Sequence, residues 1–377
     1  MKLKIDYTEA YNLPSVELTQ LSHEIGLSDA IDLLPDFLVN LSSESLSSKL
    51  NGRYDPTDPT AGEDSMEPPY DTEDLSLSLN LAQSEIDPIA IEPRNEVCPV
   101  VGVDVSSIRI GETSEGMLCA LRGAVVWRTP EGYVYSRCGP LIFHLTDRMI
   151  YSIFHRLKFP SKLAVSTLPL ANRVLGRLRN ALERWIQRSI CQSFKNSLVL
   201  LDGSLTAGTP DNPTRPMEAI LQTARRNRDT VLAISKSTKL RLMGNDITKL
   251  SEGITSACLI DIDALVRRRF PTYPVQLLGR IFVAKLSPKG FSFRLDIDSE
   301  VTRNEAIESV QKLIGSDIVS QGYPETLRLA HILSTFTANE VIGIQRFLCG
   351  RYGLRAEATF NLRRSLFGPY GSSWEAS

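Results

Sequence analysis

Two apolar runs in this chain end on a carboxylate. "VVGVDVSS" (Val100 to Ser107) reads Asp104, and "SLVLLDGSL" (Ser197 to Leu205) reads Asp202. Ending a buried run on a charge is costly unless that charge has a partner. The fold must therefore bring each aspartate to a turn, or bring both to one place. Asp-Gly is also ordinary turn chemistry, so either aspartate alone fits a strand-end turn.

The order of the surrounding elements limits the choice. "CPVVGVDVS" is a Val-rich strand, and "MLCALRGAVVWRT" and "GYVYSRCGPLIFHL" read as two more. Pro130-Glu131-Gly132 makes the tight turn between the last two. A long helical stretch follows over about 144–194. Its second half has apolar residues at 174, 175, 178, 182, 185 and 186, a helical spacing. Then come the strand "SLVLLD", a helix with Pro216 near its first turn, and the strand "TVLAIS". Three meandering strands, helix, strand, helix, strand is the element order of an α/β fold of ribonuclease-H-like type, a mixed sheet flanked by helices. In that arrangement the first and fourth strands lie parallel and adjacent. Asp104 and Asp202, each at the C-terminal end of its strand, become neighbours at the end where open α/β sheets bind ligands.

Further along, "RIFVAKLSPKGFSFRLDID" reads as a hairpin turning at Pro288-Lys289-Gly290. Residues 302–315, "PETLRLAHILSTF" and "TANEVIGIQRFLCG" read as helices. Thr337 with Glu340 makes a capping box for the last.

The N-terminal part differs in character. Residues 15–50 read as a helical segment that Pro35 interrupts. Residues 51–96 read as an acidic linker, with the stretch 51–75 so rich in Pro, Asp, Glu and Thr that disorder is expected. The globular domain is expected over 97–366, with a tail at 367–377. Residues 1–96 hold 5 Lys+Arg against 20 Asp+Glu, a net −15, whereas residues 97–377 hold 37 against 24, a net +13. A basic body under an acidic leader suits a polyanionic partner. A surface that merely happens to be basic fits equally well.

No apolar run approaches the roughly 20 residues of a membrane helix. The start "MKLKIDYTEA" lacks the apolar centre of a signal peptide. Six scattered cysteines with no CxxC pair argue for reduced thiols rather than disulfides or zinc. Together these point to a cytoplasmic protein.

Two adjacent carboxylates repel unless a cation sits between them, and oxygen ligands favour Mg²⁺ or Mn²⁺. Such ions activate water for phosphodiester hydrolysis. Between Asp147 and Asp202 the one acidic residue is Glu183, the candidate third carboxylate from that segment. It fits equally a solvated helix residue bridging Arg179 at i−4. Arg173, Arg177, Arg184 and Arg188 share one side of the same helix, spaced for phosphate contacts or for solvent. Lys236 leaves the fifth strand at the presumed active end, within reach of a phosphate. Of four histidines (His23, His144, His155 and His331), His331 stands in a helix just after Tyr323-Pro324, either as a ligand or proton carrier or as a structural residue.

The motifs Val103-Asp104-Val105-Ser106, Leu201-Asp202-Gly203-Ser204, Ile234-Ser235-Lys236-Ser237, "RIFVAKL", "FRLDI", Gly322-Tyr323-Pro324 and Ala330-His331, in that order, make the chain resemble the NurA family of DNA-end-processing nucleases over roughly residues 97–366. The resemblance implies a ribonuclease-H-like core and Mn²⁺ dependence. It also implies 5′-to-3′ exonuclease and single-strand endonuclease activity, a homodimer, and work with a HerA-type hexameric ATPase in resecting double-strand breaks. It makes Asp104 and Asp202 metal ligands. Glu183 matches the family's acidic residue before the second Asp strand, and Tyr323 and His331 match its C-terminal Tyr and His. The first motif departs from the family, reading Asp-Val-Ser where Asp-Gly-Ser is usual, and the resemblance gives no role to the long N-terminal helical and acidic extension. A non-catalytic nucleic-acid-binding scaffold on the same fold is the alternative. Another enzyme of this fold, a ribonuclease or strand-transfer protein, is a third.

Overall fold

The computed structural model describes residues 34–47, 50, 52–57, 77–79, 87–156, 170–209, 212–238, 240–242, 245–269 and 275–356. In chain order these give α1 (Leu34–Ser47), β1 (Gly52–Pro56), β2 (Pro88–Ala90), β3 (Val100–Thr113), β4 (Gly116–Thr129) and β5 (Gly132–Thr146). Next come α2 (Asp147–Arg156), α3 (Leu170–Ser193), β6 (Leu198–Asp202), α4 (Thr214–Arg226), β7 (Thr230–Ser235), β8 (Cys258–Asp261) and α5 (Asp263–Arg269). The rest are β9 (Gly279–Lys285), β10 (Phe293–Asp298), α6 (Arg303–Ser316), α7 (Glu325–Ser334), α8 (Ala338–Tyr352) and β11 (Leu354–Ala356).

These eleven strands share one mixed sheet in the order β11-β1-β3-β6-β7-β10-β9-β8-β2, with β4 added to β3 and β5 to β4. The β3–β4–β5 meander is antiparallel. β3, β6 and β7 run parallel, Val100 facing Leu198 and Val103 facing Leu201. The expected side-by-side placement of the first and fourth strands is therefore present. One expectation needs correction: Asp104 does not end its strand. β3 continues to Thr113, because it stays paired antiparallel with β4 as far as Glu112, and β1 joins its other edge at Gly111–Thr113. Between Val103 and Gly111, no described strand pairs with that edge of β3.

Strand periodicity sorts the core. Side chains two apart share a face. Val101, Val103, Val199, Leu201, Val231 and Ala233 join the cluster beneath α3 and α4, with Leu178, Leu182, Ile186 and Leu221. Val100, Leu198, Leu200, Leu232 and Ile234 join the opposite cluster with Leu313 of α6 and Leu327 of α7. A third cluster lies under α8, where Val341, Ile344 and Leu348 meet Ile108, Ile110 and Leu118. Each such fully buried aliphatic contributes about 1.5–3 kcal/mol.

The stretch expected as one helix over 144–194 is two helices, with 157–169 outside the described residues. His144 belongs to β5, where its Nε2 lies 2.9 Å from Thr113 Oγ1. The hairpin and the capping box at Thr337 are as expected. The 51–96 stretch, expected as a linker, contributes β1 and β2 to the sheet and residues 77–79 to a small side sheet. Tyr54 is the reason on the β1 side: its ring is buried among Ile108, Ile110 and Leu348. Pro35 does not interrupt a helix but sits in the first turn of α1, where a missing N–H costs little. Leu38 and Leu41 of α1 are fully buried in the α3-side cluster. Residues 1–33 and the tail 367–377 lie outside the described residues. No described helix is long and apolar enough to cross a membrane.

Candidate metal centre

Register builds the site. Val103 faces Leu201 across the parallel pair, so Asp104 and Asp202 follow side by side. By alternation both fall on the face of Leu198, Leu200 and Ile234, the face that α7 covers. Lys236, two residues past Ile234, shares it. Gly102 lets α7 come close: a Cβ there would stand 3.2 Å from the backbone of Thr326 and Leu327. Gly203 turns the chain away after Asp202 at φ +108°, a conformation glycine adopts without strain.

The close approach of α7 delivers two groups to Asp104. His331 Nδ1 lies 3.3 Å from Asp104 Oδ2, and the Ser334 hydroxyl donates to the same oxygen. Ser106 Oγ lies 3.1 Å from Ser334 Oγ and extends the chain of hydroxyls. On the other side, Lys236 Nζ is 2.8 Å from Asp202 Oδ2.

The two carboxylates are electrostatically unequal. Burial works to raise Asp104, but hydrogen bonds from His331 and Ser334 outweigh it and hold its pKa below the ordinary carboxylate value. Asp202 is raised, first by burial and then by the Asp104 charge, with Lys236 opposing. Its hydrogen bond to Asp104 raises His331. Such a pair stores repulsion that a cation relieves. Among the described residues, Asp104, Asp202 and His331 form a set whose ligand atoms all lie within 4.8 Å of one another. Two carboxylate oxygens and one imidazole nitrogen suit a divalent ion of the Mn²⁺ or Mg²⁺ kind, the nitrogen favouring Mn²⁺.

The other expected residues fall into place unequally. Glu183 is not in this set. It rides on α3, which packs on the opposite face of the sheet, and its Oε1 accepts from Gln187 Nε2 at 2.9 Å. It is still close enough that the two aspartate charges add to the rise that burial gives its pKa. Tyr323 is 9% exposed, and its hydroxyl has no hydrogen-bond partner among the described residues. Burial raises it, and the charges of Asp202 and Asp104 raise it further. Lys236 Nζ stands 5.8 Å from the centre of the Tyr323 ring. The arginine row does not form a surface. Arg177 is only 5% exposed, and Arg184 is tied to Gln187 Oε1 at 2.7 Å and Asn212 Oδ1 at 3.1 Å. Arg188 is half-buried. The side of α3 that carries these arginines is partly an inner side, so helical spacing alone overstated their access. Ser334 escaped the sequence reading; its place one turn after His331, on the same helix face, was the available signal.

Several known proteins are similar to this chain. The sequence model of the NurA domain matches residues 150–334. No curated protein matches. Among solved structures, the NurA nuclease from Sulfolobus solfataricus is similar at 16% identity and TM-score 0.46, over 86% of this chain and 97% of that one. A structure of NurA with manganese is similar at 10% identity and TM-score 0.39, over 70% and 91%. An endonuclease V from Bacillus subtilis is similar at 10% identity and TM-score 0.33, over 71% and 90%.

Proposed function

Because the chain belongs to the NurA family, we propose that it is a divalent-metal-dependent deoxyribonuclease on a ribonuclease-H-like scaffold. The observation that carries this reading is the convergence of Asp104, Asp202 and His331 on one point. In this role Asp104, Asp202 and His331 hold Mn²⁺ or Mg²⁺. Bound there, the ion supplies Lewis-acid activation of water and neutralises charge on the phosphate. Ser334 fixes the Asp104 carboxylate. Lys236, half-exposed, exchanges Asp202 for a substrate phosphate oxygen. His331 serves either as the third ligand or, left off the ion, as the carrier of a proton to the departing oxygen. Glu183 completes the carboxylate set by giving up its hydrogen bond from Gln187. Tyr323 offers its unpartnered hydroxyl to the phosphate. Arg177, Arg184 and Arg188 hold α3 in place and make no direct phosphate contact in this reading.

The same reading includes 5′-to-3′ exonuclease and single-strand endonuclease action, a homodimer, a HerA-type ATPase partner, a cytoplasmic location and a role in end resection. The test is cleavage of single-stranded DNA with Mn²⁺ by the full chain and by Asp104→Ala. Removing a ligand is expected to lower the rate by at least about a hundredfold. Undiminished cleavage by the variant would discard the assignment. One observation favours the scaffold alternative: a lysine already neutralises Asp202. That reading expects salt-sensitive DNA binding with no cleavage under any divalent ion.

A further inference from the structure

The hairpin between β9 and β10 carries a feature that the metal site leaves unused. Phe291 is 68% exposed, yet its backbone is fixed. Its N–H donates to Gln321 O at 2.8 Å. Gly290 lies flush against Gly322, where a Cβ on Gly290 would stand 2.5 Å from the Gly322 backbone. Gly322 has φ +86°, and a Cβ there would meet Phe291 O at 2.4 Å. The hairpin tip and the turn before α7 are thus clamped together, with a large aromatic ring held out to solvent.

That ring borders a groove of about 420 Å³ lined by Phe291, Phe293, Tyr323, Lys236, Arg328 and His331. Phe293 and Tyr323 meet edge to face at 5.2 Å and form an apolar floor. Glu325 orients the Arg328 guanidinium through bonds of 2.7 and 2.5 Å. Two of the lining residues, Lys236 and His331, are the ones that touch Asp202 and Asp104. The groove therefore runs from the carboxylate pair to the ring.

An exposed aromatic on a clamped backbone, next to two cations held by carboxylates, complements a planar base with its phosphate. Inside a duplex both faces of each base are covered by neighbouring bases, so only an unpaired base, or the last pair of an open end, offers a face to the ring. We propose that this groove is a base-stacking subsite for single-stranded DNA. One unpaired base lies on Phe291, and the adjoining phosphates are drawn to Arg328 and Lys236. The subsite makes the centre selective for single strands and frayed ends. Its service to cleavage rests on the nuclease reading; its binding does not.

The test uses the full chain in EDTA, so that binding is read without cleavage. Fluorescence anisotropy measures affinity for a labelled single-stranded oligothymidylate and for a covalently closed duplex circle, which has no end, at one salt concentration. Phe291→Leu keeps apolar bulk and removes the π-face; Phe291→Trp keeps the π-face. The expected result is single-strand affinity weakened roughly tenfold or more in Phe291→Leu, restored in Phe291→Trp, and duplex affinity unchanged. Equal single-strand affinity for Leu and Phe overturns the proposal, and so does an equal loss for both substrates. If the single-strand loss appears but no Mn²⁺-dependent cleavage does, the nuclease reading fails and the subsite stands.

Discussion

Lys236 and Asp202 form an ion pair across the neighbouring parallel strands β6 and β7, Nζ to Oδ2 at 2.8 Å. The ammonium stands where a divalent ion would draw on the same oxygen. Replacing Lys236 with Met removes this competitor and one phosphate contact at once. The expected outcome is tighter Mn²⁺ binding by isothermal titration together with weaker DNA binding. The slope of log affinity against log salt should fall by about one. Unchanged metal affinity would mean that the lysine and the ion do not share the carboxylate.

Ser334 and His331 both address Asp104 Oδ2. A hydroxyl that orients a ligand carboxylate is typically worth about 10–100-fold in metal affinity or activity. Ser334→Ala is therefore expected to shift the Mn²⁺ concentration needed for half-maximal cleavage upward by that factor. Thermal stability should fall only slightly. A variant equally active at every Mn²⁺ concentration would show the serine to be bystander packing.

Arg294 and Asp296, both almost wholly buried, pair at 2.8 Å in β10, and Asp296 Oδ2 accepts the Leu205 N–H just past Asp202. Removing one partner leaves a buried charge, so Arg294→Met should cost about 3–5 kcal/mol in chemical denaturation. A double replacement by apolar residues should cost less than either single one. Because the pair pins the loop after Asp202, the single variant is also expected to lose cleavage activity.

Glu340 caps α8 and pairs with Arg122 at 2.9 Å. Burial opposes its ionisation, but hydrogen bonds from Arg122 and the Thr337 N–H draw its pKa down from about 4.5 to about 2. A folded-state pKa below the unfolded one gives stability that is full above about 4.5 and is lost as pH falls towards 2. Urea denaturation of Glu340→Gln should match its parent more closely at pH 3 than at pH 7. A constant difference across that range would remove the pair from the acid response.

Much of the architecture was legible because it rests on local patterns. Val-rich runs, helical apolar spacing and the Thr337 box each encode their element within a few residues, and the two aspartates stand at matching offsets in their runs. What was not legible depends on contacts distant in the chain. Beyond Asp104, β3 keeps its local pairing with β4, but its second partner at Gly111–Thr113 is β1, over fifty residues earlier. β8, with only four residues, is too short for a periodicity to declare itself. Glu183 and the arginines of α3 have a clear helical phase, but which side of α3 meets the core is decided by the sheet. The reach of Ser334 depends on how closely α7 approaches Gly102, a packing distance that no sequence pattern carries.

The burial of Leu38 and Leu41 has a practical consequence for anyone trimming this chain. A version cut back to residue 97 onward would strip a plug from the interior beside β5 and α3. It would open a greasy slot in the protein's flank and invite clumping during purification, so insolubility of such a fragment would say nothing about the chemistry of the intact molecule.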